Sequence, residues 1–269
     1  MLPRLTGPVV ALLMVALCAC AQSPAQGDGE GKSGENNSVE PPKLGACRIL
    51  TPEDIAEPSN PSEVVDCTDE HTAETFAVGT FPESLTADAD FEDRELGAYI
   101  YKTCDERFQA FLGGEESTVM RSTLTWAWFR PSEEAWDKGA RWYRCDAVGG
   151  GEQSRSFMNL PVTAKGLLLG IPSDRWMTCV DGPTVAGSVK IACTQPHTWR
   201  AVTTIKLGEP GDPYPGDRLV EVQSRDFCSD SVGAWLNYPI DYDFGYTFFH
   251  KAEWKAGNLR SICWALTDQ

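Results

Sequence analysis

Cys67 and His71 stand four residues apart in the stretch CTDEHT, and Cys193 and His197 repeat that spacing in CTQPHT. A thiolate beside an imidazole is what a cysteine nucleophile needs, and the same two groups are ligands for zinc. Both chemistries require a free thiol. A metal would need at least one or two further ligands, and the chain has only 3 histidines. The third, His250, aligns with Arg130 rather than with another histidine. Asp69 and Glu70, the carboxylates inside the first stretch, become Gln195 and Pro196 in the second. What both stretches keep is cysteine, threonine, histidine and threonine, a set suited to a turn in which histidine and threonine bond the backbone.

Other catalytic patterns are missing. The mature sequence contains no C-x-x-C, G-x-S-x-G or H-E-x-x-H, and no phosphate-cradling glycine loop. Nothing singles out a carboxylate pair for glycoside cleavage among the 39 acidic residues. No catalytic residue, cofactor-binding residue or metal ligand is therefore assigned, and no cofactor is expected. A formal net charge of −16 disfavours nucleic acid as a partner.

The cysteines point to an oxidising compartment. Residues 1–19 read as a signal peptide, with Arg4 as the basic end and Val9 to Leu17 as an apolar run too short to span a bilayer. Leu17-Cys18-Ala19-Cys20 resembles a bacterial lipobox, which implies a diacylglycerol on Cys20 and an anchor to the outer face of the cell membrane. Residues 20–42 are polar and read as a flexible linker. Setting aside Cys18 and Cys20 leaves Cys47, Cys67, Cys104, Cys145, Cys179, Cys193, Cys228 and Cys263, an even set suited to disulfides in an exported chain.

The elements that position these cysteines occur twice. A strand follows each histidine, AETFAVGTF in one case and WRAVTTIKL in the other. Alternation puts Phe76 and Val78 on one side and Thr75 and Ala77 on the other. A helix comes next, with Ile100, Cys104, Phe108, Phe111 and Leu112 as its apolar stripe, matched later by Cys228, Val232, Trp235 and Leu236. Gly113 and Asn237 close the two helices. An aromatic strand follows each, TLTWAWFRP or FGYTFFH, and then WDKGARWYRC or WKAGNLRSIC. Trp126 and Trp128 point the same way on one strand and are candidates for a binding groove.

Four cysteines allow three pairings in each copy. The expected one is sequential: Cys47–Cys67, Cys104–Cys145, Cys179–Cys193 and Cys228–Cys263, in which the second and fourth bridges staple helix to sheet. The expected fold is α+β, two tandem disulfide-stabilised domains at 43–156 and 157–269, each a small antiparallel sheet with one main helix. His71 and His197 are expected to bond the backbone of their turns, with a partner contact as the alternative.

The lipobox, polar leash, C-x-x-x-H before a strand, helical cysteine and terminal W-x-x-G-x5-C together resemble the septum-formation family of actinobacterial envelope proteins. The resemblance covers residues 43–269 as two copies. It implies an exported or membrane-anchored protein linked to cell division, with no established catalytic activity. A binding or scaffolding module with an envelope protein or wall partner is the expected function. The alternatives are a wall hydrolase with unidentified carboxylates and a small-ligand-binding sensor lipoprotein. One departure stands out: the arginine that usually follows the glycine of W-x-x-G is Arg141 in the first copy, whereas Leu259 followed by Arg260 stands there in the second.

Overall fold

The computed structural model describes residues 34–87, 90–151 and 154–267. Residues 1–19, read above as a signal peptide, Cys20 and most of the expected linker lie outside these residues. Two antiparallel sheets carry the chain. The first comprises β1 (Cys47–Arg48), β2 (Ala73–Thr80), β3 (Thr125–Phe129) and β4 (Trp142–Val148), in the order β1-β2-β4-β3. The second comprises β5 (Thr178–Val180), β6 (Lys190–Ala192), β7 (Trp199–Lys206), β8 (Phe244–Thr247) and β9 (Arg260–Leu266), in the order β6-β5-β7-β9-β8. The helices are α1 (Glu83–Thr86), α2 (Arg94–Leu112), α3 (Glu116–Met120), α4 (Glu133–Asp137), α5 (Asp217–Trp235) and α6 (Lys251–Lys255).

The two main helices show why this sequence folds as it does. In α2 the side chain of Asp93 accepts from the Glu95 N–H and supplies the N-cap. Leu96, Ile100, Cys104, Phe108 and Leu112 recur every fourth residue and form its buried face. Gly113 then adopts the left-handed conformation at φ 72° and ends the helix. The helix α5 buries Val220, Ser224, Cys228 and Val232 in the same way. Trp235 departs from the expected stripe: it is 50 % exposed, because the chain leaves the helix there and turns through Asn237 and Tyr238, both at positive φ.

Strict alternation in β2 also fails, for a physical reason. A bulge between Thr75 and Ala77 puts one unpaired residue into the strand, so Phe76 and Ala77 both reach the core beneath α2. The strand β7 has its bulge between Ala201 and Thr203. In each sheet the bulged strand pairs with the strand that carries the last cysteine, Thr75 opposite Asp146 and Ala201 opposite Trp264.

The segment after the first sheet does not behave as a loose joint. Gly149 N–H bonds the Thr72 carbonyl, Met158 N–H bonds Gly149, and Leu160 N–H bonds the His71 carbonyl. Leu160, Ala164, Leu168 and Trp176 then join the core beneath α2, although division by sequence places them with the second half. The buried carboxylate of Glu74 holds this segment, accepting from Thr163 Oγ1 at 2.8 Å and Ala164 N–H at 2.6 Å. The segment around α3 joins the first sheet's half to the second sheet, through an isolated antiparallel bridge between Ser122 and Met177, through Met120 packed on Trp199 and its neighbours, and through a 2.7 Å ion pair from Arg260 to Glu116. The described residues belong to one compact unit.

Candidate functional site

Each histidine turn is a closed backbone device. Cys47 is bonded to Cys67 and Cys179 to Cys193, while Cys104–Cys145 and Cys228–Cys263 tie α2 to β4 and α5 to β9. The thiols that a nucleophile would need are thus consumed in disulfides. His71 and His197 are 1 % and 4 % exposed, so neither ring stands at the surface. Nδ1 of His71 lies 2.8 Å from the Asp69 carbonyl oxygen, and Nδ1 of His197 lies 2.7 Å from that of Gln195. A carbonyl only accepts, so Nδ1 carries the proton and donates. The Nε2 atoms of both rings are buried without a hydrogen-bond partner.

The threonines finish the turns. Thr72 Oγ1 accepts from Leu50 N–H and donates to the Leu50 carbonyl, both at 2.7 Å. Thr198 Oγ1 makes the same pair of bonds to Gly182, at 3.0 Å and 2.8 Å. Thr68 donates its backbone N–H and its hydroxyl to Asp66, which holds that carboxyl below the usual range. Asp69 and Glu70 are exposed.

Trp126 and Trp128 are half-buried and pack against the core beneath α2. The ring of Trp126 lies 5.4 Å from Tyr101, and Trp128 stands 5.9 Å from the guanidinium of Arg130, which itself stacks 4.0 Å over Phe91. Asp105 on α2 meets Trp126 here. Burial pushes the Asp105 carboxyl above its ordinary value, and the bond from Trp126 only partly offsets that.

Sequence reasoning missed a buried ion cluster on the other face of the first sheet. Arg48 donates to Thr75 Oγ1 at 2.6 Å, and Thr75 donates to Asp146 at 2.6 Å. Arg144 Nε is 3.0 Å from Asp146 Oδ2 and its Nη2 is 3.1 Å from Asn60 Oδ1. Glu35 bonds both guanidiniums, Arg48 closely and Arg144 at 3.3 Å. By strand register the second sheet has Val180, Ala201, Ile262 and Trp264 where the first has Arg48, Thr75, Arg144 and Asp146. The available signal was the polar pair Arg144 and Asp146 on one side of a strand whose counterpart is apolar.

The described residues also form an open cavity of about 620 Å³ at the W-x-x-G turn. Asp90, Glu92, Glu133 and Asp137 surround it, with Phe91, Trp136 and Arg141 in the wall. Arg141 stacks 4.0 Å over Trp136 and donates to the Trp136 and Ala140 carbonyls at 2.7 and 2.8 Å, so it locks the turn. Its counterpart Leu259 instead packs among Phe249 and Trp254, and Arg260 reaches Glu116. His250 is the N-cap residue of α6, as Ser132 is of α4, which corrects its alignment with Arg130. Arg130 instead lies one residue beyond β3, matching Phe248 beyond β8.

No helix among the described residues is long and apolar enough to cross a membrane. Four disulfides fit an extracytoplasmic location. No curated protein and no solved structure matches the chain significantly. The family model described as septum formation matches residues 44–263 in one span that includes all eight bridged cysteines. With most of its length inside that match, the chain belongs to the septum formation family.

Proposed function

We propose that the protein is a non-enzymatic extracytoplasmic lipoprotein, anchored through Cys20, that serves as a binding or scaffolding module at the cell envelope during septum formation. Family membership carries this reading. Four disulfides and the histidine rings bonded through Nδ1 to their own turns favour a rigid body suited to holding a partner rather than a mobile catalytic site. We read the body as two copies of one unit, 43–156 and 157–269. The common strand order, the bulge in the same register and the matched bridges support that duplication.

A fluorescent fusion followed through the cell cycle tests the septal role. Enrichment at the division site is expected, and uniform envelope signal at every stage would overturn it. Replacing Cys20 by alanine should move the protein out of the membrane fraction. The four carboxylates around the 620 Å³ cavity support one competing reading, a wall hydrolase. Wall-degrading activity lost in Glu133→Gln would decide for it.

A further inference from the structure

The Cys179–Cys193 bridge is the place where the described residues gather three metal-ligating groups. The two sulfurs and a ring nitrogen of His197 all lie within 4.8 Å of one another, and all three residues are buried. The Nδ1–H of His197 is engaged by the Gln195 carbonyl at 2.7 Å, leaving the lone pair on Nε2, which has no donor facing it. A histidine ring fixed by a carbonyl on one nitrogen, with the other free, is the arrangement that metal-binding histidines use. The bridge occupies the remaining two ligands only while it is oxidised.

We propose that Cys179, Cys193 and His197 form a redox-gated site for a soft monovalent cation, Cu(I). A dithiol reductant delivers two electrons and two protons. The S–S bond breaks, two S–H groups form, and the reductant leaves as its own disulfide. Cu(I) then displaces both thiol protons to solvent and bonds two thiolates and the imidazole nitrogen. Two cysteine sulfurs and one imidazole nitrogen, beside the buried thioether of Met177 and with no carboxylate in the group, suit a soft ion better than zinc. The approach is short, because Thr194, Gln195 and Pro196 are exposed just above the buried ring. Cys179 is 0 % exposed but Cys193 is 6 % exposed beside that turn, whereas all four cysteines of Cys104–Cys145 and Cys228–Cys263 are 0 % exposed, so a mild reductant reaches those two bridges last.

The test uses the full chain with Cys18 and Cys20 replaced by serine, so that neither supplies a thiol, and with the other turn bridge removed by Cys47→Ser and Cys67→Ser. The protein is reduced anaerobically with dithiothreitol, and alkylation with mass mapping establishes which bridge has opened. Titration with Cu(I) against the chromophoric chelator bathocuproine disulfonate should show one ion bound per reduced chain and none per oxidised chain. His197→Gln should weaken binding by about 10-fold or more, and Cys193→Ser should abolish stoichiometric uptake. The same His197→Gln comparison in the chain that keeps Cys47 and Cys67 guards against a folding defect caused by removing that bridge. No uptake after reduction, equal affinity in His197→Gln, preference for Zn(II) over Cu(I), or loss of the far-ultraviolet circular dichroism on opening the bridge would each overturn the proposal.

Discussion

Arg144 and Asp146 stand two residues apart on β4, both wholly buried, with Nε of one 3.0 Å from Oδ2 of the other. Desolvation pushes the Arg144 guanidinium down, and Asp146 is the strongest of the groups that oppose this. Arg48 and Glu35 complete two positive and two negative charges. Asp146→Asn leaves two buried guanidiniums facing one carboxylate. Breaking such a pair from one side costs about 3–5 kcal/mol, and that loss should appear as a lower urea midpoint at unchanged slope. The reciprocal replacement of Arg48, Thr75, Arg144 and Asp146 by their apolar counterparts Val, Ala, Ile and Trp should be far milder than Asp146→Asn alone, since no wholly buried charge remains and the carboxylate left unpaired, Glu35, reaches solvent.

That cluster also marks where sequence reading stops. The cysteine pattern, the helical period and the closing Gly113 each depend on neighbours within one turn or one strand, and such local rules are visible in a string of letters. Partners for Arg144 come from Asn60 and Glu35, far away in the chain, so nothing in the spacing announces them. The bulge between Thr75 and Ala77 is likewise invisible, because it shifts register against a strand about 70 residues later. At the histidine turns, residue types predicted backbone bonding by histidine and threonine. Burial of His71 and the free Nε2 required the strands above and below. The cavity at Trp136 was missed because its acids come from two separated segments, 90–92 and 133–137.

The helix-to-sheet bridges should carry more stability than the turn bridges. Cys104–Cys145 closes a separation of 41 residues and Cys179–Cys193 one of 14. In the chain-entropy model these correspond to about 4 and about 3 kcal/mol. Paired serine replacement at 104 and 145 should also open a cavity beneath α2, widening the difference. Thermal melts of the two double variants check the order, and an equal or larger loss at 179 and 193 would contradict it.

Arg141 should matter to its turn more than its half-exposed position suggests. Arg141→Ala removes the stacking on Trp136 and two bonds to carbonyls, a combined loss of about 1–2 kcal/mol. Arg141→Lys should recover part of it, since lysine keeps the charge but not the planar guanidinium that stacks on Trp136 while its Nη1 donates to both carbonyls. Leu259→Ala should cost more, about 2–3 kcal/mol, because Leu259 is 6 % exposed among Phe249 and Trp254. Denaturant midpoints of the three variants, at matched slopes, separate these outcomes.

Asp105 gives a pH dependence with a definite sign. Its folded-state carboxyl titrates above the unfolded one, chiefly because burial disfavours the charged form. The folded protein therefore binds more protons than the unfolded chain between the two values, and stability falls as pH rises through that acidic window. Below the unfolded value both states are protonated and the penalty vanishes; above the folded value it is fully present and constant. Asp105→Asn cannot ionise and keeps the side-chain shape. Its stability relative to the parent should rise as pH is raised from the unfolded carboxylate range and then level off, while other titrating groups cancel in the difference. Urea midpoints of both proteins from pH 4 to 7 provide the check. A flat difference would mean that Asp105 titrates alike in both states, and a falling one that Trp126 and Gln109 outweigh its burial.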